Sequence, residues 1–185
     1  MGLSFFHILV FPGFLFLVAL GLAMEYLDRK LYARLQNRIG PPWFQPFADL
    51  VKLAAKEEII PEDAEPRMFK LMPVFALTSV ITASFYIPFW SVNAPFAFPG
   101  DSIVVIYLLT IPTLTFFLGG WNSTSLFSRI GATRTLTQLF AYEVPLFMTI
   151  LAPALSSGQW SLSGIAAYYS SHPSHVLFNG LGFVV

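Results

Sequence analysis

Glu143 is the one acidic side chain set well inside an apolar stretch long enough to cross a bilayer. Holding a carboxylate near the middle of such a helix costs about 2.5–3.5 kcal/mol on insertion scales. Residues kept at that cost face the protein interior and recur in proton and ion pathways. Low dielectric favours the neutral acid, which suits a group that loads and releases a proton near neutrality. Pro145 follows closely and frees the carbonyl of Ala141, a natural seat for an ordered water. The residues alone leave two readings open, a proton relay and a structural glutamate paired with another helix; the relay is the expectation.

The other concentration of chemistry lies between Glu25 and Lys70, which holds sixteen of the chain's twenty Asp, Glu, Lys and Arg residues. Lys30, Arg34 and Arg38 recur every four residues and are expected on one face of a helix leaving the membrane. That face suits anionic headgroups or an acidic soluble partner. Gly40-Pro41-Pro42 then stops the helix. From Trp43 onward Phe47, Leu50, Val51 and Ala54 share one helical side while Asp49, Lys52 and Lys56 share the other. This pattern predicts an amphipathic helix able to lie at a membrane surface. Glu57, Glu58, Glu62, Asp63 and Glu65 follow; they can pair with the basic face, bind a cationic partner or stay solvated. His7, His172 and His175 have no carboxylate or third histidine close in sequence and make a poor metal set.

The elements that must position these groups are apolar. Hydrophobic residues make up 56% of the chain, mean hydropathy is +0.68, and charged residues are 11%, against roughly 25% in a soluble domain. The fold class expected is all-α: a single polytopic transmembrane domain over residues 1–185 with a cytoplasmic amphipathic helix. Spans are expected at about 3–24, 68–90, 102–121 and 134–155, with a further one beginning at 176–185. Ten residues rise only about 15 Å as a helix, so the sequence reads as the N-terminal part of a longer protein. Lys and Arg fall in the loops 25–67 and 122–133 and are missing from 91–101 and 156–175. The first and third loops are therefore expected in the cytoplasm, the N-terminus outside, and the chain in the cell membrane. A net charge of +0 argues against nucleic acid, and the absence of cysteine excludes iron–sulfur ligation by this chain.

Three blocks carry a family resemblance. Asp28-Arg29-Lys30 leading to Gln36-Asn37-Arg38-Ile39-Gly40-Pro41 is the first, and Gln45-Pro46-Phe47-Ala48-Asp49 with Lys52-Leu53 and Lys56-Glu57 is the second. Gly120-Trp121 through Ile130-Gly131-Ala132, then Arg134, Gln138 and Ala141-Tyr142-Glu143-Val144, is the third. In this order and spacing they resemble the membrane subunit that joins the two arms of respiratory complex I, the H subunit family of NADH dehydrogenase. Only Pro42-Trp43-Phe44 separates Pro41 from Gln45. That short form is similar to the homologous subunit of membrane-bound energy-converting [NiFe] hydrogenases and related archaeal sulfur reductases. Asp28 stands where the family usually has Glu, and the last few helices of the family are not represented.

The resemblance implies a non-redox subunit of an ion-translocating oxidoreductase. Glu143, Asp28 and Arg134 would belong to its proton or coupling route. Arg29, Lys30, Arg34, Arg38, Asp49, Lys52, Glu57 and Glu58 would dock the soluble arm. The implied partners are a nickel-site-type large subunit, an iron–sulfur small subunit and antiporter-like membrane subunits, besides the lipid bilayer. No cofactor is expected in this chain; [NiFe] or iron–sulfur centres would sit in the partners. Its rivals are a quinone-chamber subunit of an NADH- or F420H2-type dehydrogenase, a free-standing ion-coupled transporter and a passive scaffold. Internal repeats of the kind transporters carry are not seen.

Overall fold

The computed structural model describes residues 5–89 and 94–173, and the chain falls into two compact units, Met1–Ile59 and Ile60–Val185. Every regular element among the described residues is helical. The chain is membrane-embedded: Phe6–Leu35, Asp101–Asn122 and Leu126–Ser157 are long and apolar enough to cross a bilayer.

The first unit holds α1 (Phe5–Leu9), α2 (Phe14–Leu35) and α3 (Gln45–Ala54). The expected first span is thus two helices, broken around Pro12. A Cβ on Gly13 would fall 1.9 Å from the Ile8 carbonyl oxygen, so only glycine lets the end of α1 approach the chain there. Beyond the break, α2 runs eleven residues past the expected limit at Met24. Its end differs from the sequence reading. Asn37 takes a left-handed φ of 57°, its N–H bonds the Arg34 carbonyl, and Arg38 N–H bonds the Ala33 carbonyl at 2.7 Å. These are the two bonds of a Schellman stop, for which asparagine substitutes for glycine. Lys30 and Arg34 therefore stay on the helix and Arg38 leaves it, so the expected three-residue basic face is shortened to two. Pro46 sits in the first turn of α3, where its missing N–H leaves no bond unmade.

In the second unit α4 (Pro66–Ser84), α5 (Asp101–Asn122), α6 (Leu126–Ser157) and α7 (Leu162–Ser171) follow in order, with α5 packed against both α4 and α6. Only α5 matches its expected bounds. α4 ends at Ser84, six residues early, as the chain approaches Pro88, whose predecessor is driven from helical geometry. With Arg67 and Lys70 at its start, α4 is not among the helices long and apolar enough to span. α6 begins eight residues before Arg134 and extends 32 residues, about 48 Å of helix. α7 occupies the tail that the sequence leaves as a loop, and the segment expected at 176–185 lies outside the described residues.

Small side chains let these helices meet. Ser79, Ala83, Ser84, Thr110, Thr115 and Ala132 are buried, while large apolar residues such as Phe75, Phe116, Phe140 and Met148 point outward. Bundles in lipid pack this way because greasy side chains gain nothing by leaving an equally greasy solvent. The buried hydroxyls bond carbonyls of their own helix: Ser79 to Ala76, Ser84 to Ile81, Thr110 to Tyr107 and Thr115 to Pro112. None needs water.

Candidate functional site

In the first unit the charged residues build a clasp between α2 and α3. Glu25 and Arg29 lie one turn apart on α2 and form an ion pair. The other arm of the Arg29 guanidinium donates to Asp49 Oδ2 on α3 at 2.8 Å, and Gln45 Nε2 donates to Asp49 Oδ1 at 3.1 Å. The Arg29 hydrogen bond holds the Asp49 carboxyl below the usual carboxylate range, opposed by desolvation and helped by Gln45. The ions remain partly exposed, with side-chain accessibilities of 42% and 33% for the Arg29–Asp49 pair. Such pairs contribute little stability and are strongly screened; this one fixes the direction in which α3 leaves α2.

The turn between them is shaped by Gly40, at φ 78°. A Cβ there would meet Ala33 Cβ at 3.0 Å and Lys30 Cδ at 3.2 Å, so the turn folds back onto the last turns of α2 and covers the Lys30 stem. Two of the expected docking residues, Arg29 and Asp49, are thus brought together and face each other. Asp28, Arg34, Arg38, Lys52, Glu57 and Glu58 are exposed. The apolar side of α3 is exposed as well at Phe47, Leu50 and Val51.

The second unit carries Arg134 and Glu143 on α6. Nine residues at 100° each amount to two and a half turns, so the two project from opposite sides of the helix, about 13.5 Å apart along it. They do not pair. Glu143 is half-buried and has no hydrogen-bond or ion-pair partner among the described residues. Its neighbour Tyr142 does: the Tyr142 hydroxyl and Thr113 Oγ1 are 2.8 Å apart, tying α6 to α5 beside the carboxylate. Asp28, the third member of the expected route, belongs to the first unit.

One carboxylate escaped the sequence reading. Asp101, the first residue of α5, is completely buried. Its Oδ1 accepts the Leu162 N–H at 2.7 Å, and Ser102 Oγ donates to the Trp160 carbonyl at 2.6 Å. Together they seat the α6–α7 turn on the start of α5. Asp101 Oδ2 has no hydrogen-bond partner among the described residues. The available signal was Gly100-Asp101-Ser102, a helix-start sequence at the edge of an apolar span; position at the edge made it look like a loop residue.

The sequence profile described as NADH dehydrogenase matches residues 6–185. The H subunit of NADH-quinone oxidoreductase from Dehalococcoides mccartyi is 35% identical, over 97% of this chain and 52% of its own length. The protein of the same name from Carboxydothermus hydrogenoformans is 34% identical over 84% of this chain and 45% of its own. That of Mesorhizobium japonicum is 36% identical over 76% and 42%. The chain spans about half the length of these relatives.

Proposed function

The chain belongs to the NADH dehydrogenase family, the H subunits of complex I, and from that premise we propose that it couples electron transfer in a docked soluble arm to H⁺ or Na⁺ translocation through the membrane. The observation that carries this reading is Glu143, a carboxylate without a partner among the described residues, halfway along a helix apolar enough to span. A group so placed can exchange a proton, and no hydrogen bond or ion pair among the described residues holds it. On this reading Asp28 and Arg134 belong to the same proton or coupling route. The loop 25–67 faces the cytoplasm with the N-terminus outside. Lys30, Arg34, Arg38, Lys52, Glu57 and Glu58 offer the docking charges, and the Arg29–Asp49 clasp aims α3 among them.

The soluble arm is proposed to be of hydrogenase or sulfur-reductase type, with a nickel-site-type large subunit, an iron–sulfur small subunit and antiporter-like membrane subunits. Support comes from the connection between α2 and α3. Gln45 N–H already bonds the Pro42 carbonyl, so α3 begins within one turn of Pro41-Pro42. A second reading, a quinone-reducing arm, is favoured by the names of the curated relatives.

Purification of the native complex from its membrane separates them. Nickel in the preparation with no quinone-dependent turnover supports the first reading; quinone reduction without nickel supports the second. A chain that copurifies with no soluble subunit yet moves ions would overturn both. In the same membranes, cysteines placed at Glu62 and Ala97 test whether α4 crosses: labelling from opposite sides puts it through the membrane, and labelling from one side leaves it at the surface.

A further inference from the structure

The second unit contains a cavity of about 450 Å³ between α4, α5 and the start of α6, within the size range of small-molecule sites. Phe69, Met72 and Pro73 wall it from α4, and Phe116 and Gly119 from α5. No charged residue lines it. Its hydroxyls are largely committed: Thr115 donates to the Pro112 carbonyl at 2.6 Å and Ser128 to the Gly120 carbonyl at 2.9 Å. A polar solute would find few hydrogen bonds in exchange for its water, whereas a hydrocarbon chain loses none.

The depth and the charge at one end narrow the occupant. From Thr115 on α5 to Ser123, the residue that caps it, the lining rises about 12 Å, most of one leaflet of a core roughly 30 Å thick. At its end stands Trp121, with the Arg129 guanidinium 5.8 Å over the ring. Tryptophan marks the headgroup level of a membrane. Arg129 is exposed, follows Ser128 of the lining directly, and has no carboxylate within ion-pair distance among the described residues. An apolar slot of leaflet depth beside an uncompensated cation at the interface complements a lipid with an anionic headgroup.

We propose that this cavity binds one acyl chain of an anionic phospholipid, with the phosphate held at Arg129. Gly119 is the gate to testing it. A Cβ there would meet nothing within 4 Å, so a leucine can grow into the cavity without displacing a helix. The experiment uses the full complex reconstituted in phosphatidylcholine vesicles containing phosphatidylglycerol with a photoactivatable acyl chain. Cross-links should fall on Phe69, Met72 and Phe116. Gly119→Leu should lower them about tenfold or more, the factor expected from excluding two buried methylenes. Arg129→Gln, outside the cavity, should cut the preference for phosphatidylglycerol over phosphatidylcholine about fivefold. Labelling that ignores Gly119→Leu, cross-links absent from the lining, or a lining cross-linked instead to a peptide or displaced by a quinone tail would each overturn the proposal.

Discussion

The two units hold their helices together by opposite means. In the first, α2 and α3 are joined through Glu25, Arg29, Gln45 and Asp49, charged and polar groups that water still reaches. In the second, α5 meets its neighbours through glycine, alanine, serine and threonine, with hydroxyls bonded back to their own helices. Exposed ions orient an element but stabilise it little, because water competes for them. Close contact of small side chains stabilises strongly but only in one geometry. The difference teaches where change is tolerated: the first unit can be retuned by charge, and the second can be disturbed by one methyl group.

The largest expected effect lies on the charged side. Arg34→Glu with Arg38→Glu places two acidic groups where the proposed soluble arm docks, and both residues are exposed and outside the clasp. Like-charge contact costs several kcal/mol at an interface, so the soluble subunits should be lost on purification while the membrane part is recovered intact. Recovery of the whole complex at normal activity would return this stretch to a headgroup anchor.

Next in size is Glu143→Gln. Glutamine keeps the volume and the hydrogen-bonding capacity of a residue that has no hydrogen-bond or ion-pair partner among the described residues. It removes the exchangeable proton, and acceptor-driven ion uptake by inverted vesicles should fall by at least about tenfold, on the order of losing a general acid–base. Glu143→Asp should be milder. Full uptake in the glutamine variant, with the complex assembled, would make Glu143 structural.

A smaller effect, in stability alone, separates two adjacent glycines. A Cβ on Gly120 would stand 3.0 Å from Ala132 Cβ and 3.4 Å from the Ser128 carbonyl, whereas one on Gly119 meets open space. Gly120→Val should destabilise the α5–α6 pair by about 1–3 kcal/mol, the cost of overpacking. Gly119→Val should change it by well under that. Thermal inactivation of the two variants side by side measures the contrast; equal losses would mean that α5 and α6 do not depend on close approach.

How far these sites could be read in the sequence follows from the kind of force involved. Apolar runs revealed α5 to within a residue and the existence of α4 and α6, since burial in lipid leaves a long compositional trace. Helix ends were misjudged wherever a backbone device decided them. Asn37 stopped α2 before Arg38, and Gly13 divided the first span, because each depends on a neighbour's backbone rather than on hydrophobicity. Glu143 was conspicuous as a charge among apolar residues. Asp101 was not, since a span edge is where a carboxylate is ordinary, and only packing shows it buried. The Arg29–Asp49 bond crosses twenty residues, which no local period can show.

The smallest expected effect is the pH and salt response of that bond. Because the Arg29 hydrogen bond holds Asp49 below the usual carboxylate range, folding of α3 onto α2 favours the ionised form. The contribution is therefore complete above the carboxylate's unfolded pKa, and it is lost only as pH falls through the lower, folded one. Hydrogen exchange of the α3 amides should be flat from neutral to mildly acidic pH, after correction for intrinsic rates. It should quicken only at pH values below those at which an ordinary aspartate is half protonated. Molar salt at neutral pH should produce a similar, modest loosening, because the Debye length shrinks to about 3 Å at 1 M. Asp49→Asn keeps an acceptor for Arg29 but no charge, so it should remove the acid response and most of the salt response. The α5 and α6 amides, whose contacts carry no ion pair among the described residues, should respond to neither. An α3 that loosens at ordinary carboxylate pH, or an α5 that follows it in salt, would erase the distinction between the two units.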